Sequence, residues 1–158
     1  GGRETSVELG PVDLERKVNL AWQLAAHHAG NHQLHCRLAG LPSVPGIPLK
    51  IEELFLNLFL NAMDAMPEGG NIEVTGWLEG KQVLVRVSDH GTGFPPEKMG
   101  LVLEPFFTTK EIGQGTGLGL AICYGIMELH GGAIEVASRP EGTGAEVTLT
   151  FPLESGRM

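Results

Sequence analysis

The chain has 158 residues, 42% of them hydrophobic, which suits one domain with a single core and is too apolar for a disordered tail. Its formal charge of -8 argues against a general nucleic-acid surface or a surface for anionic membranes, and no apolar run reaches the roughly 18 residues that cross a bilayer. The two cysteines, Cys36 and Cys123, each sit in an apolar stretch with no second cysteine nearby, which argues against a disulfide framework or zinc knuckle and predicts reduced, buried thiols in a cytosolic domain.

In chain order, residues 12–29 read as an amphipathic helix, with Leu14, Val18, Trp22 and Ala25 at helical spacing. Asp13 is its expected N-cap and Gly30 its stop. Residues 33–39 read as a strand, and 41–46 as a connector rich in turn residues. A second helix is expected over 48–66. Pro48 suits its first turn, and Pro67 with Gly69-Gly70 ends it. Residues 71–77 and 82–88 alternate as paired strands about a turn at Glu79-Gly80. From His90 to Gly117 there is no clean period and many Gly and Pro residues, a length that marks a functional loop. A third helix is expected over 118–129, then a closing hairpin of 133–138 and 145–151. The sum predicts one α/β (α+β) two-layer sandwich, a mixed, mostly antiparallel sheet of about five strands covered on one face by three helices, with its core over about 12–152.

The second helix is apolar nearly all round, yet Glu53, Asn57, Asn61 and Asp64 interrupt it. At about 100° per residue these four span about 80° of arc, a single polar stripe. Amide and carboxylate oxygens in such a stripe suit Mg²⁺, which keeps waters and substrate phosphates in its shell. Taken alone, the stripe reads equally well as the exposed face of a surface helix.

Two glycine segments bear on that choice. The strand ending at Ser88 delivers Asp89-His90-Gly91-Thr92-Gly93, so a carboxylate faces a pocket while the backbone turns sharply. A carboxylate only accepts hydrogen bonds, and so can recognise an exocyclic amine such as that of adenine, though the same pattern also makes ordinary turns. The second segment, residues 113–120, runs glycine-rich into a helix, where backbone N–H groups and the helix N-terminus favour phosphate. It is neither a Walker loop nor a strand-first dinucleotide fingerprint. Between the two lies Glu104-Pro-Phe-Phe-Thr-Thr-Lys110, whose lysine is the only Lys or Arg from Met99 through Ser138.

In this order, the asparagine box (Glu53 to Ala62), the first glycine box (Asp89 to Gly93), the phenylalanine box (Glu104 to Lys110) and the second glycine box (Gly115 to Leu120) resemble the catalytic ATP-binding domain of sensor histidine kinases, within the superfamily of gyrase, Hsp90 and MutL. The likeness spans about 12–152, and the Phe-Phe-Thr-Thr-Lys form is most similar to kinases of the nitrogen-regulation type. The resemblance implies ATP and Mg²⁺ as cofactors, with Asn61 as metal ligand, Asn57 beside the phosphates and Asp89 on the adenine amino group. The implied nucleotide-binding set is Asn57, Asn61, Asp64, Asp89, Gly91, Gly93, Phe94, Thr108, Thr109, Lys110, Gly115, Thr116, Gly117, Leu118 and Gly119, with the long loop as ATP lid. Asn57, Lys110 and Glu53 are its candidate catalytic residues. Gyrase-like ATPases carry a water-activating glutamate one turn before the metal asparagine. Here that place is Asn57, which favours transfer over hydrolysis.

The family's phospho-acceptor histidine lies on a dimerising helical hairpin, and nothing before Asp13 is expected to form one. His27, His28, His32 and His35 lack the acceptor motif and standard zinc spacing, and read as surface or structural residues, while His90 and His130 are expected to tune packing. The implied partners are a histidine-bearing dimerisation domain and a downstream response regulator, with no nucleic acid and no direct membrane contact, in the cytoplasm. An ATPase clamp or a nucleotide-binding regulatory module is the alternative.

Overall fold

A computed structural model of the chain describes residues 9–28, 30–91, 118–139 and 143–154. In chain order the elements are β1 (Gly10–Val12), α1 (Leu14–Ala25), β2 (His32–Arg37), β3 (Val44–Gly46), α2 (Pro48–Ala65), β4 (Gly70–Glu79), β5 (Gln82–Ser88), α3 (Leu118–Leu129), β6 (Ala133–Ser138) and β7 (Ala145–Pro152). Five strands form one sheet in the order β2-β4-β5-β7-β6, with β2 parallel to β4 and the other pairs antiparallel. The mixed, mostly antiparallel sheet with three helices is the expected sandwich. Among the described residues no helix is long and apolar enough to cross a membrane.

Strand alternation explains the two layers. Ile72 and Val74, then Val83, Val85 and Val87, then Leu149 and Phe151 point to one face and are buried there with the helices. The opposite face carries the polar set. There the Arg86 guanidinium lies 4.9 Å from the Trp77 ring centroid and donates to Thr148 Oγ1 at 3.2 Å.

Asp13 caps α1 as expected, its carboxylate accepting from Arg16 N–H at 3.2 Å. The buried seam is Leu14, Val18, Ala21 and Ala25, so Ala21 takes the place expected of Trp22. Trp22 is half-buried and meets Phe59 of α2 edge-on at 5.3 Å between centroids. The expected helix also runs too long. After Ala25 the next residues, Ala26, His27 and His28, are all exposed, and the chain tightens into a 3₁₀ turn, Ala26–His28.

The largest departure is at 41–46. Val44–Gly46 is a strand, paired antiparallel with Gly10–Val12. Val12 and Val44 face each other and are buried, while Pro11 and Pro45 sit opposite each other without N–H groups to offer. Local composition signals a turn here. The pairing comes from burial of two valines distant in sequence.

His130, at the end of α3, ties this ribbon to the core. Its Nε2 accepts from Ile47 N–H at 3.0 Å and its Nδ1 donates to Ile126 O at 2.7 Å, which fixes the neutral Nδ1–H tautomer. Ile47 is the N-cap of α2 and has no side-chain cap, so the imidazole satisfies one of the donors at that helix start. His130→Phe keeps the volume and loses both bonds. It is expected to lower stability by about 1–3 kcal/mol in urea unfolding, and an unchanged midpoint would contradict this role.

Candidate functional site

The buried face of α2 is Ile51, Leu54, Phe55, Leu58, Phe59, Ala62 and Met63. Beside it, Glu53, Asn57 and Asn61 are half-buried, and Asp64 is exposed. The stripe is thus neither a free surface nor a buried one. Asn57 Nδ2 donates to Glu53 O one turn back at 2.9 Å, which leaves its carboxamide oxygen to accept. The Glu53 carboxylate lies 3.4 Å from Lys50 Nζ, one turn toward the N-terminus and away from Asn57.

What half-covers the stripe is the start of α3. A Cβ added at Gly119 would lie 3.1 Å from both Asn61 Oδ1 and Nδ2 and 3.5 Å from Asn57 Oδ1. Glycine there lets the backbone of α3 sit close against both asparagines. Further along the pair, Cys123 Sγ donates to Leu54 O at 3.6 Å, and burial pushes its thiol up to about 12. That cysteine is a packing residue. Cys36 is half-buried instead of buried, and its thiol is also raised, first by burial and then by Glu15.

Asp89 directly follows β5 and is buried. Its Oδ1 accepts from Gly91 N–H at 2.8 Å and from Ala145 N–H at 3.2 Å, and its own N–H donates to Ala145 O at 3.0 Å. Among the described residues no group bonds Oδ2. Burial raises the carboxyl above its ordinary value, opposed by those two N–H bonds and by the nearby Arg139 guanidinium. Gly91 lies on the C-terminal end of α2, where an added Cβ would come 2.5 Å from Ala65 O. One end of the asparagine helix therefore meets Gly91, and its middle meets Gly119.

Of the sequence-predicted residues, Asn57, Asn61 and Gly119 are in contact, with Asp64, Asp89 and Gly91 grouped toward the end of α2. Gly93, Phe94, Thr108, Thr109, Lys110, Gly115, Thr116 and Gly117 lie outside the described residues, as does the expected lid. Leu118 is described only as the first residue of α3. The histidine group is structural where it is bonded. His32 Nε2 donates to Met66 O at 2.7 Å while its Nδ1 accepts from Gly30 N–H, and His35 Nε2 meets Asn71 Oδ1 at 3.1 Å. A shallow cavity lined by His28, Gly30, His32, Leu60, Met63, Asp64 and Pro67 opens beside Asp64, but Asn57, Asn61, Asp89 and Gly119 do not line it. Among the described residues no three His, Cys, Asp or Glu gather to hold a metal. The oxygens of Asn61 and its neighbours on the stripe are the hard donors that Mg²⁺ accepts, and too few to satisfy it without water and phosphate, so the residues fit a metal carried in with a nucleotide.

Sequence reasoning missed the hairpin between β6 and β7 as part of the site. Gly144, at φ +123°, has its Cα so close to Asp89 that an added Cβ would stand 2.0 Å from Asp89 O. The signal was present as Glu141-Gly142-Thr143-Gly144, which reads locally as a turn and nothing more.

Residues 46–155 match the family model described as histidine kinase-, DNA gyrase B-, and HSP90-like ATPase. Sensor histidine kinase ZraS of Escherichia coli (strain K12) is 37% identical over 158 residues, covering 98% of this chain and 33% of ZraS. The chain therefore spans about a third of that relative's length. The mycobacterial sensor histidine kinase MprB has the same fold, with a TM-score of 0.82 at 26% identity over 95% of this chain and 100% of that one. Full-length ShkA in complex with AMPPNP gives a TM-score of 0.74 at 28% identity, over 97% of this chain and 33% of that one. The chain belongs to the histidine kinase-, DNA gyrase B- and HSP90-like ATPase family, and these relatives that carry a functional name are sensor histidine kinases.

Proposed function

We propose that this chain is the catalytic ATP-binding domain of a sensor histidine kinase, one domain with its core over about 12–152, that transfers the ATP γ-phosphate to a histidine on a separate dimerisation domain. The observation that carries the reading is the seating of Gly119 against Asn57 and Asn61. It puts an asparagine stripe and a phosphate-type helix start in one place, with Asp89 held toward the end of the same helix.

In this reading Asn61, with Asp64 nearby, holds Mg²⁺, and Asn57 turns its free carboxamide oxygen to the same site. A metal held there with ATP would supply positive charge against the phosphates. Asp89 accepts from the adenine amino group through Oδ2, with Gly91, Gly93 and Phe94 shaping that pocket. Backbone N–H groups from Gly115, Thr116, Gly117, Leu118 and Gly119 line the triphosphate at the start of α3. Thr108, Thr109 and Lys110 belong to the lid, with Lys110 reaching the γ-phosphate. Attack by an imidazole nitrogen on the γ-phosphorus expels ADP. Asn57 cannot deprotonate a water, which withholds a contribution of roughly 10²–10⁴-fold from hydrolysis. Of the two stripe carboxylates, Asp64 is assigned beside the metal, and Glu53 pairs with Lys50 one turn back toward the N-terminus.

The Phe-Phe-Thr-Thr-Lys form supports a place among kinases of the nitrogen-regulation type. A downstream response regulator is then the final acceptor, and the domain works in the cytoplasm without touching nucleic acid or membrane. The chain alone, given Mg²⁺ and γ-³²P-ATP, is expected to take up no label. Addition of the parent's histidine-bearing helical domain is expected to give acid-labile label on that domain. Acid-labile ³²P on this chain's own histidines, or none on the added domain, would overturn the reading.

A further inference from the structure

We infer that Arg139 is a positioning residue for adenine recognition, acting through His90 and the β6–β7 hairpin on Asp89. The inference rests on the nucleotide reading above and extends it to residues outside the glycine boxes.

Asp89 gets its place from two directions. On its own segment, Gly91 N–H holds Oδ1. Across the sheet, Ala145 holds both the same oxygen and the Asp89 backbone. Ala145 in turn follows the tight contact of Gly144 on Asp89 O. A shift of the hairpin therefore moves the carboxylate directly.

Arg139 closes that hairpin. Its N–H donates to Gly144 O at 2.9 Å, and its Nη1 donates to Thr143 O at 3.3 Å. The same Nη1 donates to His90 Nδ1, and Thr143 Oγ1 donates to His90 O at 3.4 Å. Guanidinium has no lone pair to accept with, so His90 must present Nδ1 as an acceptor and carry its proton on Nε2. That nitrogen faces Glu73 Oε2 at 4.0 Å, across from the neighbouring strand β4. The residue after Asp89 is thus gripped by side chain and backbone, and the hairpin cannot slide along β5 without breaking both contacts. Nη1 carries two N–H groups and so makes both bonds at once, on a planar guanidinium. A lysine ammonium is a point charge on a flexible stem, so it keeps the donors without the fixed plane that holds both acceptors.

The test compares ADP with IDP, which carries an oxygen where ADP carries the 6-amino group, by calorimetry on the whole chain. The parent is expected to prefer ADP. Arg139→Gln is expected to lower ADP affinity by about 3–10-fold and leave IDP within about twofold, so that the preference shrinks by the same factor. Arg139→Lys is expected to fall between the two. A role confined to stability would lower both affinities together and leave their ratio intact, and that result overturns the inference while the adenine reading stands. A parent with no preference for ADP over IDP overturns the adenine reading, and the inference with it.

Discussion

Replacing Asn61 with alanine is expected to weaken Mg²⁺-ADP binding by about 10–100-fold and to change metal-free ADP binding by no more than about threefold. The larger figure follows from losing one contact to a charged ligand, about 1.5–3 kcal/mol, at about 1.4 kcal/mol per tenfold. The smaller one follows because Asn61 is assigned to the metal and the base is held elsewhere. Gly119→Ala tests the same geometry without removing a ligand. Alanine ordinarily favours a helix over glycine by up to about 1 kcal/mol. Here its Cβ would sit 3.1 Å from both terminal atoms of Asn61, tighter than ordinary contact, and Asn61 would have to give way. Gly119→Ala is therefore expected to keep or raise the melting temperature while weakening Mg²⁺-ADP. Calorimetry with Mg²⁺ and with EDTA separates these outcomes. Equal Mg²⁺-ADP affinities for Asn61→Ala and the parent would remove Asn61 from the metal.

Much of this was legible in the sequence because the signals are local. The bounds of α3 follow from an apolar run stopped by Gly131-Gly132, and β4 with β5 from alternation about Glu79-Gly80. The polar stripe on α2 could be seen from spacing alone, but its setting could not. The same spacing serves an exposed helix, and only the approach of Gly119 distinguishes the two. What escaped was non-local. Residues 41–46 carry every mark of a turn, and their strand exists because Val44 meets Val12. Ala21 displaces Trp22 from the seam because the indole finds Phe59 at the margin. The hold on Asp89 spans two strands that pair antiparallel, so no window of sequence around Asp89 contains Ala145, Gly144 or Arg139.

Asp89→Asn is expected to separate stability from binding. Asparagine keeps an oxygen for the N–H groups of Gly91 and Ala145, so the backbone arrangement has no reason to change. Its amide nitrogen then occupies the place of Oδ2 and meets the adenine amino group donor to donor. ADP affinity is expected to fall on the order of 100-fold, and the preference for ADP over IDP to vanish, because an amide can donate to the IDP oxygen. Stability moves the other way. Burial raises the Asp89 carboxyl in the folded protein, so the folded state holds this proton more tightly than the unfolded chain does. The resulting stabilisation is complete below the ordinary carboxylate range and is lost as pH rises through the raised folded value. Above that folded value the parent carries a buried charge that the variant does not. Asp89→Asn is therefore expected to melt at or above the parent's temperature near pH 7, with that advantage shrinking as the pH falls and the parent's carboxyl takes up its proton. Melting curves from pH 4 to pH 8 read the stability, and titrations of ADP and IDP at pH 7 read the binding. A variant that loses stability most at pH 7 and recovers at low pH would mean that Asp89 stabilises the fold as an anion, and the assignment of its charge to ligand recognition would fail.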